Sequence, residues 1–391
     1  MEYTKLKSIN QYKSKSINPA KTPETVFEMY SVPIYETGHP EYLRGDEIAS
    51  SKVVVQKNDI LLCKINPRIN RVWVVSDESD KINIASSEWI VIRNNEYNPE
   101  FLAWYFRSRK FQKLMTSEVT GIGGSLTRAQ PKRVAEYPVP ILDRLKQDEI
   151  VDILNRCKFV MDSRKQELSE LDTLIKARFV EMFGDPVANP MNWSVKKLKD
   201  LSLQISSGST PKGGSANYVE EGITFFRSQN VWKDRLEMND IAYIDNETHH
   251  IMKKSSLKNG DILMTKTGRI NTENSSLGRA ALYTGEDDMA NVNGHVYFIR
   301  LKKNVNNKFV LRILVSPEYR DLIRNVCVGG IDKRQLNKEH IEEFPIICPP
   351  SEMIDAYINF VQQIDKLRVV IQKSLDEAQY LFDSLMQEYF G

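Results

Sequence analysis

Cysteine is scarce in this chain: Cys63, Cys157, Cys327 and Cys348 are spread over 391 residues with no paired spacing. That argues against a disulfide framework and a cysteine-built zinc site, and it predicts reduced thiols in a cytoplasmic protein. Long apolar runs are missing, so no segment is expected to span a bilayer. Met1-Glu2-Tyr3-Thr4 does not read as a secretory signal. An excess of one charge is also missing. The formal net charge is +2, so any affinity for phosphate must come from local clusters or from partners. Catalytic signatures fail as well. There is no phosphate loop of the Gly-x4-Gly-Lys-Ser/Thr kind, and Gly121-Ile122-Gly123-Gly124 lacks the third glycine of a dinucleotide turn. The nearest approach to an amino-methyltransferase tetrapeptide, Cys348-Pro349-Pro350-Ser351, fails at both ends. His249-His250 has no companion ligands and reads as a solvated loop. Asp59-x4-Lys64 and Asp261-x4-Lys266 lack the acidic residue a nuclease places before its lysine, and read as strands entered through a turn.

What is present is a duplication. Phe183-Gly184 recurs as Phe390-Gly391, and Glu136-Tyr137-Pro138 as Glu343-Phe344-Pro345, both displaced by 207 residues. Asn58-Asp59-Ile60-Leu61 recurs as Gly260-Asp261-Ile262-Leu263, displaced by 202. Phe101–Ser108 echoes Phe309–Ser316, and Gly123-Gly124 echoes Gly329-Gly330. A period this long means two whole domains rather than a solenoid. The first copy is expected at residues 1–140, with β-branched and aromatic runs at 52–55, 60–65, 72–76 and 89–92, a helix over 99–115, and a glycine-rich loop at 120–125. The second is expected at 185–347.

Each copy runs into a long amphipathic segment, over 141–184 and 348–391. Asp143 after Pro140-Ile141-Leu142 is the expected cap of the first, and Gly184 with Pro186 its stop. Its apolar positions Leu154, Cys157, Met161, Leu168, Leu171, Ile175, Phe179 and Met182 recur three and four apart. The second, capped by Ser351, gives Val361, Ile364, Ile371, Leu375, Ala378, Phe382 and Leu385. These are heptad seams. One arginine lies inside each, Arg164 and Arg368, and could either fix register or snorkel at the seam edge. The simplest arrangement pairs the two helices antiparallel within one molecule; homodimerisation through the same seams is the competing reading. The fold expected is therefore α+β: two similar mixed α/β domains joined by two long antiparallel helices forming a coiled coil, with pseudo-twofold symmetry.

The remaining signal is basic residues in glycine-bearing loops. In the first copy these are Lys64, Arg68 and Arg71, then Arg128, Lys132 and Arg133. In the second, Thr210, Lys212 and Arg227 surround Gly213-Gly214, followed by Lys266 and Arg269, then Lys333 and Arg334 after Gly329-Gly330. Arg and Lys on short loops suit phosphate contact and bidentate reading of guanine. Singly, each is more often a solvated surface residue. Recurrence at corresponding places, Arg128 with Arg334 above all, favours function. Arg107, Arg109, Lys110 and Lys113 read instead as a solvated helix face.

In these residues the chain resembles the specificity subunits of type I restriction–modification systems. Phe183-Gly184-Asp185-Pro186, Asn189-Pro190, Trp193 and Leu198-Lys199-Asp200-Leu201 look like that family's entry into its second half. Ser206-Ser207-Gly208-Ser209-Thr210-Pro211, Gly260-Asp261-Ile262-Leu263 and Glu343-Phe344-Pro345 resemble its target-recognition landmarks. Gly45-Asp46-Glu47-Ile48, Asn58-Asp59-Ile60-Leu61 and Lys64-Ile65-Asn66-Pro67-Arg68 match in the first half. The likeness covers essentially the whole chain and departs at the helix starts. Ser351-Glu352-Met353 lacks the usual nearby glutamine, whereas Gln147 stands near the first helix start.

The resemblance implies two target recognition domains, each reading one part of a split double-stranded DNA sequence; pseudo-twofold domains on one DNA face favour half-site centres about one helical turn, ~34 Å, apart. It implies that the helices space these domains and bind two methylation subunits, with restriction/translocase subunits added. S-adenosylmethionine, ATP and Mg2+ would then sit on those partners and no cofactor or metal on this chain, which would be non-catalytic. The rivals are a methylation-based defence system without its own nuclease, a self-sufficient nuclease or methyltransferase, and a coiled-coil scaffold that never touches DNA.

Overall fold

A computed structural model describes the chain except residues 1, 77, 118, 121–126, 271, 273, 331 and 332, and at residue 120 the backbone alone. The expected glycine loop at 120–125, with Gly123-Gly124, thus lies almost wholly outside the described residues. Two compact units emerge: residues 1–168 with 370–391, and residues 169–369. The division runs through both long helices, Arg144–Phe183 and Ser351–Phe390, so each unit holds one head and a portion of each helix.

In the first unit Glu2–Lys5 pairs antiparallel with Pro138–Ile141, bringing the two ends of the head together. A five-stranded sheet runs in the order 16–17, 52–54, 82–85, 26–30, 41–44. A three-stranded sheet sets Ile60–Cys63 between Val72–Val74 and Trp89–Ile92. Every residue of Ile60–Cys63 is buried, which is why that segment reads as a continuous apolar run without alternation.

The helix expected over 99–115 is two helices, Pro99–Arg107 and Arg109–Ser117. Asn98 caps the first, with Pro99 at its first position. Ser108 turns extended and its hydroxyl accepts the Phe111 N–H at 3.3 Å, so a mid-run serine starts a second helix. The second unit repeats the device: Ser316 separates Asn307–Leu314 from Pro317–Val326 and accepts the Tyr319 N–H at 3.2 Å. Arg107 is not part of a solvated face. It donates to the Val72 carbonyl at 2.8 Å and lies 4.9 Å from the Trp104 ring centroid. His249-His250 is likewise no loop; both lie on the short helix Asn246–Ile251, and the His249 ring meets Asn291.

The second head repeats the plan. Ser194–Lys197 pairs with Pro345–Cys348 as the counterpart of the first head's end-to-end pair. Ile262–Thr265 lies between Val296–Leu301 and Ala280–Leu282, with Ser202–Ser207 beyond Val296–Leu301. The repeated aspartates are structural. Asp59 is fully buried, accepts the Gln56 N–H at 2.8 Å and takes a two-pronged contact from Arg93 at 2.7 and 2.6 Å. Asp261 does the same with the Lys258 N–H and with Arg300, at 2.9 and 2.7 Å. Asn58 (φ 71°) and Gly260 (φ 88°) supply the left-handed residue before each aspartate. The turn-then-strand reading of both motifs holds.

Within each unit the two long helices run antiparallel and close their seams on each other. In the first, Arg164 Nε donates to Ser374 Oγ at 3.3 Å, while Phe390 joins Ile150, Val151 and Leu154 in the core. In the second, Arg368 reaches Asp172 at 2.6 Å and the Tyr357 hydroxyl donates to the Ile175 carbonyl at 3.4 Å. Leu154, Met161, Ile175, Val361 and Ile364 are buried, while Leu168, Leu171, Ile371, Leu375, Phe382 and Leu385 are half-buried. Both seam arginines therefore bond across to the other helix. Phe390 packs on Phe101 (centroids 5.6 Å) as Phe183 packs on Phe309 (5.0 Å), so each terminal Phe-Gly seals a head against its helix. Burial of such a side chain is worth about 1.5–3 kcal/mol.

Candidate nucleic-acid interface

In the first unit the basic residues gather where Ile60–Cys63 ends. Lys64 leaves that strand with its N–H on the Glu88 carbonyl (3.0 Å) and its ammonium on the Ser87 carbonyl (2.7 Å). Its own carbonyl accepts the Ala129 N–H at 2.9 Å, and Ile65 bridges Arg128, so the segment after the glycine stretch lies alongside. Arg128 is exposed and meets the Glu88 carboxylate at 3.1 Å. Asn66 (φ 46°) and Asn70 (φ 53°), both left-handed, bracket the turn Pro67–Ile69 that presents exposed Arg68 and half-buried Arg71. Asparagine tolerates that conformation better than other side-chain-bearing residues. Lys132 and Arg133 are exposed on the short helix Pro131–Val134.

In the second unit three loops converge on the turn 293–295. The Gly208 N–H donates to the Val296 carbonyl (2.9 Å), the Asn293 N–H to the Phe226 carbonyl (2.9 Å), and the Lys266 N–H to the His295 carbonyl (2.9 Å). A Cβ on Gly208 would stand 1.9 Å from the Val292 carbonyl oxygen, so only glycine permits this approach. Thr210, Arg227 and Lys266 are thereby brought together. Lys333 and Arg334 join through Lys333–Gln335, which pairs with Thr267–Gly268. Arg227 is held by Asp240 at 3.2 Å, and Lys266 sits 5.5 Å from the Tyr297 ring centroid. Lys212 and Arg269 are exposed.

The backbone corrects one expected correspondence. Leu336 N–H bonds to the Lys266 carbonyl as Ala129 N–H bonds to that of Lys64, and Thr267 faces Gln335 as Ile65 faces Arg128. Arg128 therefore matches Gln335, and Arg334 matches Thr127. A one-residue slip along a strand sends side chains to the opposite face. Accordingly Arg128 is exposed, while Arg334 turns to the Cys327 carbonyl at 3.3 Å with its Nε buried. At the matched position the first unit has Arg128 on the Glu88 carboxylate, and the second has Gln335, whose amide donates to Asn337 Oδ1 at 3.1 Å; His295 takes the backbone place of Glu88. These are different hydrogen-bonding sets on one frame.

A related match exposes a cation absent from the sequence-based candidates. The Thr265 N–H bonds to the Arg279 carbonyl as the Cys63 N–H bonds to that of Arg71, so Arg279 is the second unit's Arg71. Their displacement, 208, belongs to the same repeat that relates Phe101 to Phe309, and that was the available signal. Buried side-chain polar atoms without a partner among the described residues also fall in these loops: Asn66 Oδ1, Asn70 Oδ1, Arg71 Nε and Thr127 Oγ1 in the first unit, Arg227 Nε and Arg334 Nε in the second. Leaving such atoms unpaired costs about 1–3 kcal/mol each, which stable folds tolerate at sites that meet something else.

Burial pushes all four thiols above the usual cysteine range, which makes them poor nucleophiles. Among the described residues no group of three His, Cys, Asp or Glu could hold a metal ion, and no helix is long and apolar enough to cross a membrane.

Comparison with known proteins follows the same line. Residues 190–381 match the family model described as the type I restriction modification DNA specificity domain. A protein assigned as the MjaX type I restriction enzyme specificity subunit of Methanocaldococcus jannaschii is 21% identical over 202 residues, 51% of this chain and 46% of its own. The chain thus spans about half the length of the curated relative it matches. A solved chain from work on complex assembly and conformational transition of a type I restriction–modification system has TM-score 0.62 at 18% identity, covering 100% of this chain and 97% of that one. The S subunit of a type I restriction–modification system from M. genitalium gives TM-score 0.57 at 13% identity, with 100% and 96% covered. These two are likenesses of fold.

Proposed function

We propose that this chain is a DNA specificity subunit of the type I restriction–modification kind, and that each head reads one half of a split double-stranded DNA target. The observation that carries this reading is the pair of matched loop clusters with different polar side chains at one backbone register: Arg128, on the Glu88 carboxylate, and Gln335, on the Asn337 side chain. Arginine suits guanine O6 and N7, and glutamine suits adenine N6 and N7, so one scaffold can serve two sequences. Half-buried Lys64 and exposed Arg68, Lys132, Arg133, Lys212, Arg269 and Lys333 would set register on phosphates.

In this reading the chain is non-catalytic and works in the cytoplasm as part of a complex. Two methylation subunits would supply S-adenosylmethionine and the transfer chemistry; restriction/translocase subunits would supply ATP- and Mg2+-dependent work. Without the latter the same chain would serve a methylation-only defence system. The test is a shift assay on the complex with Arg128→Ala and Gln335→Ala. Each should lose specific binding and relax one half of the target. Full retention of specific binding by both variants would favour a scaffold that does not touch DNA, and S-adenosylmethionine binding by the isolated chain would revive an enzymatic role.

A further inference from the structure

Behind the second unit's loop cluster lies a small cavity of about 110 Å³. Its lining sets Lys233, Arg279 and Arg320 beside the apolar Leu277, Leu314 and Ile323, with no acidic side chain among the described residues. Arg279 is oriented on three sides. Its guanidinium stacks 3.9 Å from the Trp232 ring centroid, Nε donates to the Ser275 carbonyl at 2.9 Å, and Nη2 reaches the Asn274 carbonyl. Arg235 stands 5.4 Å from the same ring centroid. Neither Lys233 nor Arg279 meets a carboxylate among the described residues.

Like charges crowd here. Lys233 keeps enough solvent contact to count as exposed, yet desolvation and then Lys176, Arg320 and Arg312 push its ammonium below the usual lysine range, with Glu318 opposing. Desolvation, Arg320 and Arg235 act on Arg279 in the same sense. Arg312 is answered by Asp234 at 2.8 Å, and Arg235 by Glu237 at 3.6 Å. The like charges acting on Lys233 and Arg279 are offset when a small anion enters the space these two side chains line.

Position suggests where the anion comes from. Arg320 occupies the place of Gln112 in the first unit: Gln112 donates to the Pro67 carbonyl of the Arg68–Arg71 turn, and Arg320 to the Thr272 carbonyl of the matching loop at 3.1 Å. Arg279 is the counterpart of Arg71. The cavity thus adjoins the loop that follows Lys266 and Arg269. The first unit has Trp104 where the second has Arg312, so the cluster belongs to one head.

We propose that this cavity binds one phosphodiester group of the DNA backbone, with Lys233, Arg279 and Arg320 as its ligands. The proposal rests on the DNA-reading function given above, and it makes the second head the more tightly phosphate-anchored of the two.

The experiment measures binding of the full chain, with its methylation partners, to a duplex carrying the target found by methylation sequencing, over a series of salt concentrations. Lys233→Gln should weaken binding and lower the slope of log K against log salt by about 0.9, the signature of one lost phosphate contact. The methylated sequence should stay the same. Arg320→Gln, which installs the residue the first unit carries there, should act alike. In duplexes with single methylphosphonate substitutions, one position should weaken the parent complex and leave the Lys233→Gln complex unchanged. A parent that binds with an unaltered slope in both variants would overturn the phosphate site while leaving DNA reading intact. A parent that binds no duplex would remove both. Loss of inorganic phosphate binding in Lys233→Gln, with the DNA slope unchanged, would replace the backbone with a free anion and overturn the proposal.

Discussion

Asp59 and Asp261 show how much a single repeated residue can organise. Each is buried, closes a tight turn through a backbone N–H and takes both prongs of an arginine at or just past the strand paired beside its own in the sheet. Removing one partner of a buried pair leaves an uncompensated charge, worth about 3–5 kcal/mol. Arg93→Met and Arg300→Met should each lower the calorimetric transition of their own unit by that order. A loss below about 1 kcal/mol would mean that water answers the aspartate instead. The aspartates were visible in the sequence as a repeat; their arginines were not, because the pairing partner lies 34 or 39 residues away and nothing local marks it. The same limit hid Arg279 and mismatched Arg128 with Arg334. Counting residues across a stretch of unequal loops misses a one-residue slip, whereas hydrogen-bond register settles it.

At the scale of the element, the long helices were the most legible part of the chain. Three-and-four spacing, Asp143 as the cap of the first helix and Gly184 after it placed the segments, since these signals are local and periodic; Ser351, expected as the second cap, is instead that helix's first residue, after Pro350. The break at Ser108 was missed because helical spacing continues through it. Seam energetics should follow burial. Ile364, 5% exposed, should cost about 2–5 kcal/mol on Ile364→Ala. Arg368→Ala, which removes a largely solvated ion pair with Asp172, should cost under about 1 kcal/mol. Thermal unfolding of the two variants side by side checks the ranking, and an equal loss would show that Arg368 holds the register rather than the seam edge. Gln147 adds a local distinction. It accepts the Asn98 N–H and donates to the Leu142 carbonyl, both at 2.8 Å, whereas the matching place in the second copy is Ile354, half-buried and packed against the core. Gln147→Ala should cost about 1–3 kcal/mol by orphaning those two backbone groups.

For the whole molecule, duplication followed by divergence of loops is the account's centre. Two heads share strands, turn aspartates, serine-separated helices and a terminal Phe-Gly seal, and they differ where side chains gather at the strand ends. A molecule of this kind should recognise two unlike half-sites, and a change in one head should leave the other half untouched. Methylation sequencing of cells carrying this chain with the methylation subunits proposed for it measures that directly, comparing the parent with Arg128→Gln and Gln335→Arg. The account predicts a split methylated sequence in the parent and, in each variant, a change confined to one half, in opposite halves for the two substitutions. A single undivided sequence, or substitutions that alter both halves together, would contradict it.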